Sequence, residues 1–232
     1  NLGFKQGRDD TYIKKFNRDT SLKVDFKNKQ LIYPENKSKD PKKPNGMIIH
    51  QRQICEFSAN ENFVVFECVH RLLEKGYEAK DLELEPKWKM GLENKGARAD
   101  ILIRNNDGKS LIIIECKTFG KEFEKAWRRT LEDGGQLCSY IWQEREADYG
   151  VLYASDFVDN KIKYENKIIM FIDHADYLAE SKKNKNLKVY EKAKGTESIY
   201  STWKETYKCD YQTRGFLEPN IAAYKIAQNK YT

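Results

Sequence analysis

The 232-residue sequence has no apolar stretch approaching the ~20 residues that cross a bilayer, and its first residues lack the charged-then-apolar pattern of an export signal. Both absences lead to the expectation of a cytoplasmic protein. Cysteine is sparse and badly spaced for binding: Cys55, Cys68, Cys116, Cys138 and Cys209 are an odd, scattered set with no Cys-x-x-Cys pair. This excludes a disulfide framework or a cysteine zinc site, so the five read as reduced packing residues. The three histidines, His50, His70 and His174, stand too far apart for metal-ligand spacing. Gly120-Lys121 lacks the rest of a phosphate-binding loop, which excludes an ATP motor in this segment. A dinucleotide glycine fingerprint and an Asn-Pro-Pro-Tyr-like methylation motif are missing too.

What remains is a polar chain, 39% hydrophobic with a mean hydropathy of −0.84, long enough for one sizeable core plus extensions. Its charge is uneven. Residues 1–50 hold 12 Lys and Arg against 6 Asp and Glu and so carry the whole net charge of +6. Lys37, Lys39, Lys42 and Lys43 form the densest cluster, and Tyr12, Phe16, Phe26 and Tyr33 are interleaved with the cations. Such an arm suits attraction to a phosphate backbone, with the aromatics stacking on bases or packing onto the domain. The alternative is solvated charge.

An irregular arm with strand character over Leu22 to Tyr33 leads into a loop at Pro34, Pro41, Pro44 and Gly46. Apolar residues at Phe63, Val64, Phe66, Val69, Leu72 and Leu73 recur with helical spacing and predict a helix from Asn60 to Lys75. Strands are expected near 80–88, 98–104 and 110–117. Residues 121–145 read as mostly helical, interrupted at Gly134-Gly135, and Tyr149 to Ser155 and Ile168 to Asp173 as further strands. This order predicts an α/β fold, a mixed central sheet flanked by helices. Residues 1–50 then form a basic arm, 51–178 the core, and 179–232 a linker with a small helical extension. That extension, rich in apolar residues from Trp203 to Ile221, could lead into further domains, since the chain neither starts with Met nor ends on a terminal motif.

One constellation stands out within that core. Asp107-Gly108 is a strong hairpin signal between Ala99-Asp100-Ile101-Leu102-Ile103 and Leu111-Ile112-Ile113-Ile114-Glu115. With Asp107 and Gly108 as a two-residue loop, Asp100 lies opposite Glu115, roughly 5 Å away at Cβ, and period-two alternation adds Lys117 to the same face. Two carboxylates that close repel unless a cation lies between them, and oxygen donors favour Mg²⁺ or Mn²⁺. Lys117 can orient or activate a water, or stabilise charge on a phosphate. Together these are the parts of a metal-dependent phosphodiester hydrolase. The plain alternative is a cross-strand Asp100–Lys117 ion pair with a solvated Glu115, which the apolar run Leu111 to Ile114 disfavours, because charges at the end of a covered strand need a reason.

Asp100 with Glu115-Cys116-Lys117 resembles the PD-(D/E)xK nuclease superfamily, with Ala99 replacing the frequent proline before the Asp. Two further motifs carry the resemblance over about residues 50–175. Gln136-Leu137-Cys138-Ser139-Tyr140 is similar to the Gln-x-x-x-Tyr motif of nuclease domains in type I restriction enzymes, and Glu61 opens a helix similar to the acidic helix before the strands there. Gln136 and Tyr140, four apart, share one helix face and would support the site. Glu61 is either a further metal ligand or a glutamate favoured by the helix dipole, and Glu67 reads as a surface residue. The resemblance implies a restriction-endonuclease-like core, Mg²⁺ or Mn²⁺ as cofactor, and double-stranded DNA as substrate. Methyltransferase, specificity and ATP-motor functions would then belong to other domains or subunits. A repair or recombination nuclease of the same superfamily and a non-catalytic DNA-binding module are the alternatives.

Overall fold

The computed structural model describes residues 2–41, 43–88, 97–133, 136, 137, 140, 144, 147 and 149–170. Strands β1 (Lys5–Gln6), β2 (Thr11–Lys15), β3 (Ser21–Asp25) and β4 (Gln30–Ile32) form an antiparallel meander in chain order. After β5 (Ile48–Ile49) and a short 3₁₀ turn comes helix α1 (Asn60–Glu74). Then follow β6 (Leu82–Leu84), β7 (Lys87–Trp88), β8 (Ala97–Arg98), β9 (Ile101–Arg104), β10 (Ser110–Thr118), helix α2 (Lys121–Asp133), β11 (Tyr149–Val158) and β12 (Lys161–Met170). The main sheet has the order β12-β11-β10-β9-β6-β5, with parallel pairing in β10/β11 and β5/β6 and antiparallel pairing elsewhere. The protein is therefore a mixed α/β fold with a restriction-endonuclease-like core.

β10 occupies the centre because its sequence suits two covered faces: Leu111 to Ile114 are each at most 1% exposed. Alternation sends Ile112, Ile114 and Cys116 into the core beneath α1, with Val65, Cys68, Val69 and Leu72. Ile113 goes to the other face, with Leu102, Leu152 and Ala154 under Phe123, Leu137 and Tyr140. At about 1.5–3 kcal/mol per buried large aliphatic side chain, these two layers dominate the fold's stability.

The N-terminal segment is not an irregular arm. Leu22, Leu31 and Tyr33, together with Met47 just beyond the meander, are buried in the α1 core. Phe26 meets Phe57, and Phe57 meets Phe63 of α1, in edge or tilted contacts. Lys14 ion-pairs with Glu74 at the far end of that helix. Alternating apolar and polar residues over short strands are a weak signal, and the meander emerges because α1 offers its strands an apolar surface to cover.

Two further boundaries differ from expectation. The last strand begins at Lys161 rather than Ile168, because Asp159 and Asn160, with φ of 52° and 59°, make a tight turn that folds β12 back along all of β11. The helical stretch after β10 is regular to Asp133, with Gln136, Leu137 and Tyr140 also helical. Gly134-Gly135, Cys138, Lys42, His174, Cys209, the linker and the C-terminal extension lie outside the described residues. Among the described cysteines, Cys55, Cys68 and Cys116 are buried and unpaired. No helix among the described residues is long and apolar enough to cross a membrane.

Candidate active site

The β9–β10 hairpin brings the acidic residues together by a route other than the expected two-residue turn. Asn105 N–H donates to Lys109 O, Gly108 N–H donates to Asn105 O, and Gly108 takes a φ of 77°. The loop is therefore three residues, Asn106 to Gly108, steadied by Asp107 and Lys109 N–H groups donating to Asn105 Oδ1. A three-residue loop with a left-handed glycine is a hairpin solution that tolerates only residues able to adopt positive φ. It pairs Arg104 with Ser110, one residue out of the expected register. A bulge between Ser110 and Ile112 removes the offset, so Ile103 pairs with Ile112 and Ile101 with Ile114. Asp100, next along, comes to stand beside Glu115 because two irregularities cancel.

Asp100 Oδ2 accepts a hydrogen bond from Cys116 N–H at 2.6 Å, a backbone donor that no side-chain motif reveals. Lys117 Nζ lies 2.7 Å from Glu115 Oε1 and 3.3 Å from Glu61 Oε1, so the first turn of α1 reaches the strand pair. Glu61 is 45% exposed, whereas Glu115 is 5% exposed. Gln136 Nε2 donates to the Tyr140 hydroxyl at 3.2 Å, and Tyr140 is buried beside Glu115. All six residues singled out in the sequence are thus brought to one end of the central strand pair.

Acid outweighs base there. Burial raises the Asp100 carboxyl well above its usual range, and Glu115 adds to the rise; Lys117 and the Cys116 N–H oppose it. Burial also raises Glu115, against the pull of Lys117 and a hydrogen bond from Tyr140. Burial alone would lower the Lys117 ammonium, but Glu115, Asp100 and Glu61 together push it up, so it stays protonated at neutral pH. Burial and the nearby Glu115 and Asp100 raise the Tyr140 phenol, which therefore remains neutral. Glu115 Oε2 is buried with no hydrogen-bond partner among the described residues.

That orphaned oxygen is the feature that fits a cation. The donors are all oxygens, which suits Mg²⁺ or Mn²⁺ better than zinc. Among the described residues no three acidic, His or Cys side chains already form a ready metal cage, because the Lys117 ammonium sits between Glu115 and Glu61. Glu67 corrects the sequence reading: it is 5% exposed, accepting from Arg71 at 2.6 Å and from the Tyr153 hydroxyl, on the face opposite the site. The Glu67/Arg71 spacing of four was the available signal.

A central strand pair with an Asp beside it and Glu-x-Lys on its second strand, followed by a parallel crossover through a helix, defines the restriction-endonuclease-like class. Within that class, the chain belongs to the family described as "Type I restriction enzyme R protein N terminus (HSDR_N)", which matches residues 60–175. No curated protein matches the chain. One similar solved structure is described as "Crystal structure of SSO0001", at 21% identity and a TM-score of 0.26, covering 59% of this chain and 64% of that one.

Proposed function

We propose that the chain is a metal-dependent deoxyribonuclease module that hydrolyses phosphodiester bonds of double-stranded DNA, the cleavage part of a type I or fused restriction-modification enzyme. Family membership supports the context, and one observation carries the chemistry: buried carboxylates in excess over the single lysine, with Glu115 Oε2 lacking a hydrogen-bond partner among the described residues.

Asp100 and Glu115 would hold Mg²⁺ or Mn²⁺, with Glu61 reaching from α1 as a further oxygen. Bound there, the ion supplies Lewis acidity toward the phosphate and toward a water. The chain's own groups do the rest. Lys117, held as an ammonium, donates hydrogen bonds to a phosphate oxygen or to the attacking water, stabilising developing negative charge rather than removing a proton. Cys116 N–H fixes the orientation of the Asp100 carboxylate. Tyr140, kept neutral and contacted by Gln136, donates a hydrogen bond to Glu115 and so helps hold that carboxylate in place. The basic N-terminal meander adds attraction for DNA, while methylation, target recognition and ATP-driven movement belong to partner domains or subunits.

Calorimetric titration with Mn²⁺, paired with nicking of a supercoiled plasmid, tests the reading. Wild type should bind the ion and cut; Asp100→Asn and Glu115→Gln should lose both. Undiminished ion binding in both variants would remove the assignment.

A further inference from the structure

We infer that the outer strand β12 presents a two-lysine stripe, Lys161 and Lys163, that grips the sugar–phosphate backbone of duplex DNA beside the cleavage site. The inference rests on the nuclease reading above.

Strand register carries the argument. Parallel pairing places Glu115 beside Leu152 and Lys117 beside Ala154 on β11, and antiparallel pairing continues the rows to Lys167 and Glu165 on β12. Paired residues share a face and alternate ones return to it, so Lys161, Lys163, Glu165 and Lys167 all stand on the face that holds Glu115 and Lys117. Two strand spacings separate β12 from β10, roughly 10 Å. Glu165 engages Lys167 at 3.0 Å. Lys161 and Lys163 are exposed, and neither has an ion-pair partner among the described residues. Asp156, directly across from Lys163, instead accepts the Phe157 N–H through Oδ1.

Position matters as much as charge. The last pair between β10 and β11 is Thr118 with Ser155, yet the β11–β12 hairpin runs on through Asp156 to Val158 before turning. Lys161 and Lys163 pair with that overhang and therefore project beyond the strand end where Lys117 lies. Helix α2 covers Leu152 and Ala154 of β11 through Phe123, which leaves the lysines lateral to its cover. About 7 Å apart along the strand, they can engage one backbone together. Charge complementarity and continuity with the carboxylate–lysine cluster name the occupant as the DNA strand leaving the site.

The experiment uses the whole chain carrying K161A/K163A, with K161R/K163R as the charge-preserving control and melting temperatures to verify that both fold like wild type. Affinity for a labelled linear duplex is measured against NaCl concentration without divalent metal, and cleavage separately with Mn²⁺. The stripe predicts that the alanine pair lowers the slope of log K against log salt by about two and weakens binding on the order of tenfold near ~0.1 M salt. The arginine pair keeps the wild-type slope, and the alanine pair raises KM for cleavage while kcat holds. An unchanged slope in the alanine pair overturns the stripe even if wild type cuts. Conversely, a lysine-dependent slope in a wild-type chain that does not cut with Mg²⁺ or Mn²⁺ removes the nuclease reading and leaves the stripe as a DNA surface.

Discussion

Among the described residues three glutamates are buried around the sheet, Glu67, Glu83 and Glu115, and they differ in what meets their oxygens. Glu83 receives His50 Nε2 at 3.0 Å on one oxygen and Arg104 Nε on the other. Arg104 also donates to Gly108 O and Ser110 Oγ, and Ser110 donates to Glu144, so a saturated polar chain ties the turn end of the sheet. Glu67 is saturated likewise by Arg71 and Tyr153. Glu115, toward the opposite end of β10, has Lys117 on Oε1 and, among the described residues, no hydrogen-bond partner on Oε2. A buried carboxylate with both oxygens satisfied holds a fold together, whereas one left short beside a second acid is poised for a ligand.

The sharpest test of that contrast is cleavage. Asp100→Asn, Glu115→Gln and Lys117→Met should each reduce plasmid nicking by on the order of a thousandfold or more. Glu83→Gln should leave it within severalfold of wild type. Equal losses at both ends of β10 would erase the distinction. Next in size is stability: Glu67→Ala leaves Arg71 and Tyr153 with unmatched buried polar atoms and should cost about 3 kcal/mol in urea unfolding.

Dependence on pH follows with a definite sign. Asp100 and Glu115 have folded-state carboxyls raised above their unfolded values, so these two groups bind more protons in the folded chain than in the unfolded one once pH exceeds about 4, and their contribution to stability shrinks as pH rises. Metal-free stability should therefore fall as pH rises from there through the raised values, and Mn²⁺ should reverse the trend. Asp100→Asn keeps an acceptor for Cys116 N–H while removing the charge, and should raise metal-free stability above that window by on the order of 1 kcal/mol. A melting temperature in metal-free buffer that rises over the same window would contradict the excess of acid. The smallest effect belongs to Glu61→Gln: its half-exposed side chain stands at the rim, so cleavage should drop only about tenfold or less, mostly through weaker Mn²⁺ affinity.

Within the site, the alternation of β10 was enough to put Glu115 and Lys117 on one face, because side-chain direction along a strand is set by the local backbone. The turn residues also announced a hairpin between Asp100 and Glu115. Their opposition was foreseen from a two-residue loop that does not exist; a longer loop and a compensating bulge restored it, and a bulge has no local signature in a run such as Leu111-Ile112-Ile113. Family motifs supplied Gln136 and Tyr140, whose spacing of four is again a local property.

Other features depend on groups distant in the chain. Periodicity located α1, but its rotation on the sheet, which buries Glu67 against Tyr153 and delivers Glu61 to Lys117, is settled by packing. Residues 1–50 read as a basic arm, yet Leu22, Leu31, Tyr33 and Met47 belong to the core, so Lys5, Lys14, Lys15 and Lys23 stand on strands of a docked sheet. The stripe on β12 follows the same logic, since Lys161 and Lys163 share a face with Glu115 only once β11 is paired to strands on both sides. Composition, turns and periodicity are written locally, where a few neighbouring residues bias the backbone. Burial, hydrogen-bond satisfaction and the meeting of charges arise from long-range pairings that the sequence pattern left open.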